Sequence, residues 1–267
     1  MFLRLLILCM CVTRAPAQPR LPAEVTMNEN AGRGDFLLLL LRLETGEELP
    51  FIVDTGSPIT VFDRSLESKL GKRLGTMGIS TPGHKQEKSG IYAASKIYIG
   101  STPLLTGSNV ATCHLEGAMG ILGMDCLQHY CIQLDFADHV VRFLNPDRMK
   151  VDGLGKGFPL TLARSGPQGR FVRPVIHHAG LVGADTNLLI DTGCRIDGLM
   201  AKGVNNGREP ERLNISKCVW DGEVYMNIRV AAVDHANVLG LSFLARHLVT
   251  LDFPHRRMYL NRITVGS

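Results

Sequence analysis

Two short stretches place aspartates where an ionised carboxylate is costly. In residues 51–62, "FIVDTGSPITVF", an apolar run ends on Asp54-Thr55-Gly56 and the chain then turns apolar again. Residues 188–199, "LLIDTGCRIDGL", repeat the arrangement around Asp191-Thr192-Gly193. A carboxylate at the end of a buried strand is unfavourable unless something holds it, and a second carboxylate in the same setting offers a partner. Two carboxyl groups within hydrogen-bonding distance cannot both ionise easily, so they share a proton, one acting as base and the other as acid. Such a pair can do acid–base chemistry, with one group taking a proton while the other gives one. The glycine of each triplet permits a tight turn that brings backbone N–H groups to the carboxylate.

The elements that must position these residues come in two copies. Asp191 follows Asp54 by 137 positions, and "ILGMDCLQHYCIQLDF" from Ile121 recurs 117 positions later as "VLGLSFLARHLVTLDF" from Val238. Both copies keep the same spacing from the Leu-Gly pair to the Leu-Asp-Phe triplet, the mark of an internal duplication. Residues 35–57 read as a hairpin turning at 44–47, whose return strand delivers the first triplet; residues 170–194 repeat it. A short helix follows each Leu-Gly pair, over 124–129 and 241–246, and then a β-rich strand carrying Leu-Asp-Phe. The expected architecture is all-β, with two duplicated lobes and a short helix in each.

These residues resemble the aspartic peptidases, both the two-lobed pepsin type and the single-lobed retroviral type that must dimerise. The resemblance rests on apolar-apolar-Asp-Thr-Gly at Asp54 and Asp191 and on the Leu-Gly-x-x-x-Leu elements, and it covers residues 35–145 and 158–260. It implies an endopeptidase with Asp54 and Asp191 as its catalytic pair, no cofactor, and a peptide or protein substrate extended in a cleft between lobes. Thr55 and Thr192 would lock the two loops together, with Gly56 and Gly193 in support. The residue after each triplet differs. Ser57 would hydrogen-bond its carboxylate and favour the charged form, whereas Cys194 is a weak donor, so Asp54 is expected to be more often ionised and Asp191 more often protonated. A flap is expected from the Gly-rich, hairpin-like residues 75–100, with Tyr92 either lining a substrate pocket or packed as a strand residue. One chain supplies both aspartates, so a monomer suffices. The alternative is a catalytically silent module of the same fold that holds peptide or protein; two intact triplets favour the enzyme.

Composition bounds the rest. At 267 residues, 45% hydrophobic and 20% charged, the chain is globular, with room for two small domains. Its charge of +4 comes without the basic runs and interleaved aromatics that a nucleic-acid groove needs, so no nucleic-acid partner is expected. Arg4, an apolar stretch from Leu5 to Val12 and Ala15-Pro16-Ala17 read as a signal peptide over 1–17, hence export, either secretion or a bacterial periplasm. An N-terminal linker over 18–34, a first lobe over 35–150, a linker over 151–157 and a second lobe over 158–267 would follow. No later apolar run is long enough to span a membrane. Five cysteines remain after residue 17, an odd number; Cys194 with Cys218 is one pairing open to an exported chain, and buried thiols are the other reading. His177-His178 would alternate across a strand, and no metal site is expected. Asp135 and Asp252, at matching positions in the two copies, read as turn or strand-end residues. Trp220 is expected to pack beside the cleft, and Asn214-Ile215-Ser216 is a glycosylation sequon if the source is a eukaryote.

Overall fold

Leu37, Leu39, Leu41 and Leu43 are buried while Leu40 is 59% exposed, the alternation of a strand with one face on a core. That strand, Leu38–Leu43, pairs antiparallel with Glu48–Val53, which leads directly into Asp54. The strand Phe171–Ile176 shows the same alternation of burial and pairs with Leu188–Asp191. The computed structural model describes residues 21–79, 87–179, 181, 186–202, 210–234 and 236–262. The expected signal peptide at 1–17 and the tip of the expected flap, 80–86, lie outside the described residues.

Phe51, Ile52 and Val53 are buried on both faces because the chain passes them twice. The strand Gly120–Leu122 runs parallel to Glu48–Val53 and antiparallel to Val61–Asp63, so it is threaded between the two arms of the first aspartate loop. Val238–Gly240 does the same between Leu188–Asp191 and Gly198–Ala201. Threading brings backbones together where no side chain fits. A Cβ on Gly123 would lie 2.3 Å from the Ile59 carbonyl oxygen, and one on Gly240 would lie 2.2 Å from that of Ile196. Two helices start at these points, α1 (Met124–Leu127) and α2 (Leu241–Leu244), each shorter than the sequence pattern suggests. Their first amides are used to hold the loops: Met124 N donates to Ser57 O at 2.8 Å, and Leu241 N to Cys194 O at 2.7 Å.

Among the described residues the strands form a nine-stranded sheet in the first lobe, a seven-stranded sheet in the second and a six-stranded sheet shared by both. The shared sheet runs Glu24–Thr26, Val140–Leu144, Cys131–Asp135, His247–Asp252, Arg257–Arg262, Lys156–Pro159, and its halves mirror each other outward from the two Leu-Asp-Phe strands. At its centre Gln133 Nε2 donates to Thr250 Oγ1 at 3.0 Å, and these two residues occupy the same position of the repeat. An approximate two-fold axis therefore passes between them. The chain is all-β in two lobes, as expected.

Two segments expected as linkers differ from the sequence reading. Glu24–Thr26, inside the expected linker at 18–34, is a strand paired with Val140–Leu144, and Lys156 and Gly157, inside the expected linker at 151–157, begin a strand paired with Arg257–Arg262. Neither segment has a periodicity of its own; each is a strand because the shared sheet offers it an edge. Trp220 is packed, 2% exposed, in an aromatic cluster with Tyr225 and Phe243 at centroid distances of 4.6 and 5.5 Å. No disulfide joins Cys194 and Cys218; both are thiols, and Cys218 is buried in the core. The paired carboxylates of the Leu-Asp-Phe strands are turn residues. Asp135 accepts the amides of Ala137 and Asp138, and Asp252 accepts that of His255.

Candidate active site

The two aspartate loops meet across the approximate two-fold axis. Thr55 N donates to Thr192 Oγ1 and Thr192 N to Thr55 Oγ1, both at 3.0 Å. Each hydroxyl then donates across the interface, Thr55 Oγ1 to Ile190 O and Thr192 Oγ1 to Val53 O, both at 2.7 Å. Both threonines are fully buried, so these four bonds replace water completely. The loops hold their own carboxylates as well. Asp54 Oδ1 accepts from Gly56 N at 2.8 Å and Ser57 N at 3.0 Å, and Asp191 Oδ1 accepts from Gly193 N at 2.9 Å.

The glycines decide how close the aspartates come. A Cβ on Gly56 would lie 2.4 Å from Asp191 Cγ, and one on Gly193 would lie 2.4 Å from Asp54 Cγ. Each lobe thus leaves the space of one methyl group for the carboxyl group of the other, and the two carboxyls hydrogen-bond to each other. Burial, and then the Asp191 charge, push Asp54 up to about 7, against the amides of Ser57 and Gly56. Burial raises Asp191 also, opposed by the Gly193 amide, by the hydrogen bond received from Asp54, by the Cys194 amide and by the charge of Arg173. Both shifts favour keeping a proton on the pair, and the two groups titrate as one unit.

The surroundings of the two carboxyls differ, though not through the Ser57 hydroxyl and the Cys194 thiol on which the expected asymmetry rested. The Ser57 hydroxyl donates to Ile59 O at 2.8 Å and is not available to the carboxylate, which takes the Ser57 amide instead. The Cys194 thiol is pushed up to about 12 by burial and the Asp191 charge, so it stays neutral. What distinguishes the aspartates is Arg173, on the leading strand of the second-lobe hairpin. Its Nε donates to Gly56 O at 2.9 Å and its charge favours ionised Asp191. By strand register the first-lobe counterpart of Arg173 is Phe36, whose ring lies under the Arg195 guanidinium at 4.8 Å. Each hairpin therefore touches the aspartate loop of the other lobe, one with a cation and one with a ring. Arg173 was not among the expected site residues; aligning the two hairpins residue by residue brings it out as the unlike member of the pair.

The hairpin expected as a flap is present in its arms, Arg73–Ile79 and Glu87–Ala93, which pair antiparallel. Tyr92 is a packed strand residue, 8% exposed in the first-lobe core with its hydroxyl bonded to Glu67, so the pocket-lining reading is corrected. Among the described residues no group of three His, Cys, Asp or Glu side chains is placed to hold a metal ion, and no helix is long and apolar enough to cross a membrane.

No protein-family model matches the chain, and no curated protein sequence does. Among solved structures it is similar to the aspartic proteinase from Irpex lacteus, with a TM-score of 0.59 over 90% of this chain and 97% of that one, at 14% sequence identity. The likeness is one of fold, and it spans both lobes.

Proposed function

We propose that this chain is an exported aspartic endopeptidase that hydrolyses peptide bonds with Asp54 and Asp191, working as a monomer and without a cofactor. One observation carries the reading: the carboxyl groups of two matching loops meet, each in the space left by the other loop's glycine, at a lobe interface held by reciprocal threonine bonds. A scaffold that only held ligands would gain nothing from two buried carboxyls raised against each other. In the reaction, a water between the carboxyls gives a proton to Asp191 as its oxygen adds to the carbonyl carbon, and Asp54 gives its proton to the carbonyl oxygen. The gem-diol adduct then collapses: the C–N bond breaks, the leaving nitrogen takes the proton from Asp191, and one hydroxyl of the adduct returns a proton to Asp54 as the carboxylic acid forms, which restores the starting state.

The test is digestion of a mixed peptide library across about pH 3 to 7, the range in which a shared-proton pair changes state. A bell-shaped profile on the acid side of neutrality, with inhibition by a hydroxyl-bearing transition-state mimic, is expected. Peptides that bind without being cut would favour the ligand-holding module. Arg173→Gln adds a second check. Removing the cation raises Asp191, so the acid limb of the profile is expected to move to higher pH; a limb that stays put contradicts the role of Arg173 in the asymmetry.

A further inference from the structure

Beside the second aspartate loop lies a groove of about 990 Å³ between α2 and the ribbon of strands Arg212–Trp220 and Glu223–Val233. Four arginines line it: Arg33 from the first lobe, Arg212 and Arg229 from the ribbon, and Arg246 just beyond α2. One carboxylate faces them. Asp197 is 5% exposed and already engaged, its Oδ2 accepting from the Arg246 guanidinium and from Arg229 N at 2.7 Å. That leaves Arg33, Arg212 and Arg229 exposed and without an ion pair among the described residues.

The arrangement has a physical consequence. Arg212 pairs with Ala231 and Asn214 with Arg229, so Arg212 and Arg229 are diagonal neighbours on one face of the ribbon. Like charges that close oppose one another, and an anion between them removes the penalty. The floor is apolar where it adjoins the aspartate loop: Ile196, five residues after Asp191 in the chain, is 43% exposed there. A surface that joins an apolar floor to three guanidiniums without an ion pair among the described residues suits an extended chain with acidic side chains better than a bare phosphate.

Resting on the peptidase reading, we propose that this groove binds an acidic run of the peptide substrate, a stretch with two or three Asp or Glu residues outside the scissile bond. The protein would then select substrates by charge at a distance from the cut as well as by side chains at it.

The experiment uses the full chain and its Arg212→Gln/Arg229→Gln variant, both positions being exposed on the ribbon. Substrates are paired peptides sharing the best-cut library sequence and carrying flanking Glu-Glu-Glu or Gln-Gln-Gln on either side. We expect kcat/KM about tenfold higher for one Glu-flanked peptide than for its Gln twin, with the advantage lost in the variant and between about 0.05 and 0.5 M salt. The variant should cut the Gln-flanked peptide as the wild type does. Fluorescence anisotropy of labelled peptides gives a readout independent of cleavage, again with about tenfold tighter binding of the acidic one expected. Cleavage of both twins at equal rate, or a preference that survives in the variant, overturns the groove and leaves the peptidase reading standing. No cleavage of any peptide, with acidic binding that depends on the two arginines, upholds the groove and removes the peptidase reading. A single-stranded oligonucleotide bound as tightly as the acidic peptide would overturn the assignment to peptide.

Discussion

Asp54→Asn is expected to lower kcat/KM on the best-cut peptide by about 10⁴-fold while peptide binding and fold persist. The asparagine oxygen can still accept the Gly56 and Ser57 amides that hold Asp54 Oδ1, so the loop keeps its shape. Its amide can neither carry the charge nor surrender a proton, and one carboxyl group cannot be base and acid at once. The same variant reports on stability. Asp54 is raised from 3.8 to about 7 in the folded chain, so its contribution is fully present below about pH 4 and is lost as pH rises through about 7. The wild type should therefore lose about 2–4 kcal/mol between those limits from this pair, and the variant distinctly less. Urea midpoints at both ends of that range measure it. Cleavage at the wild-type rate would show that the pair is not the reaction centre, and Asp191→Asn, made in parallel, should lose activity to the same degree.

The second large effect is on the lock between lobes. Thr55→Val keeps the side chain's volume but removes its hydroxyl, which donates to Ile190 O and accepts from Thr192 N. Both partners are buried at the interface, Thr192 and Ile190 alike having no exposed surface. Each would be left without a partner, at about 1–3 kcal/mol apiece, so a loss of about 2–6 kcal/mol is expected. That is a large share of the roughly 5–15 kcal/mol that holds a typical domain folded. Thr55→Ser restores the hydroxyl and should recover most of the loss. A Val variant as stable as wild type would mean that water replaces the hydroxyl and that the loops are held from elsewhere.

Much of this site could be read before any coordinates. The two triplets, their apolar approaches and the repeated Leu-Gly elements are local patterns, and a strand's alternation or a glycine's freedom is a property of neighbouring residues. Leu37 to Leu43 announced one strand face, and residues 170–194 announced the same hairpin again. The repeated motifs alone led to the expectation of two lobes and of Asp54 meeting Asp191.

What the residues do to one another across the fold was settled by the tertiary structure. Glu24–Thr26 and Lys156–Pro159 look like linker and become strands when the shared sheet presents an edge to each. Ser57 has the right hydroxyl in the right place in the chain, yet the path of the loop gives that hydroxyl to Ile59 O. Arg173 sets its charge beside Asp191 while reaching across to Gly56 O of the other lobe, and Arg33 shares a groove with Arg212, Arg229 and Arg246 although the first lies far from the others in sequence. The physical reason is common to all of these. Periodicity and turn chemistry act over a few residues and are written along the chain, whereas a side chain's charge and hydrogen bonds act on whatever folding brings within a few ångströms.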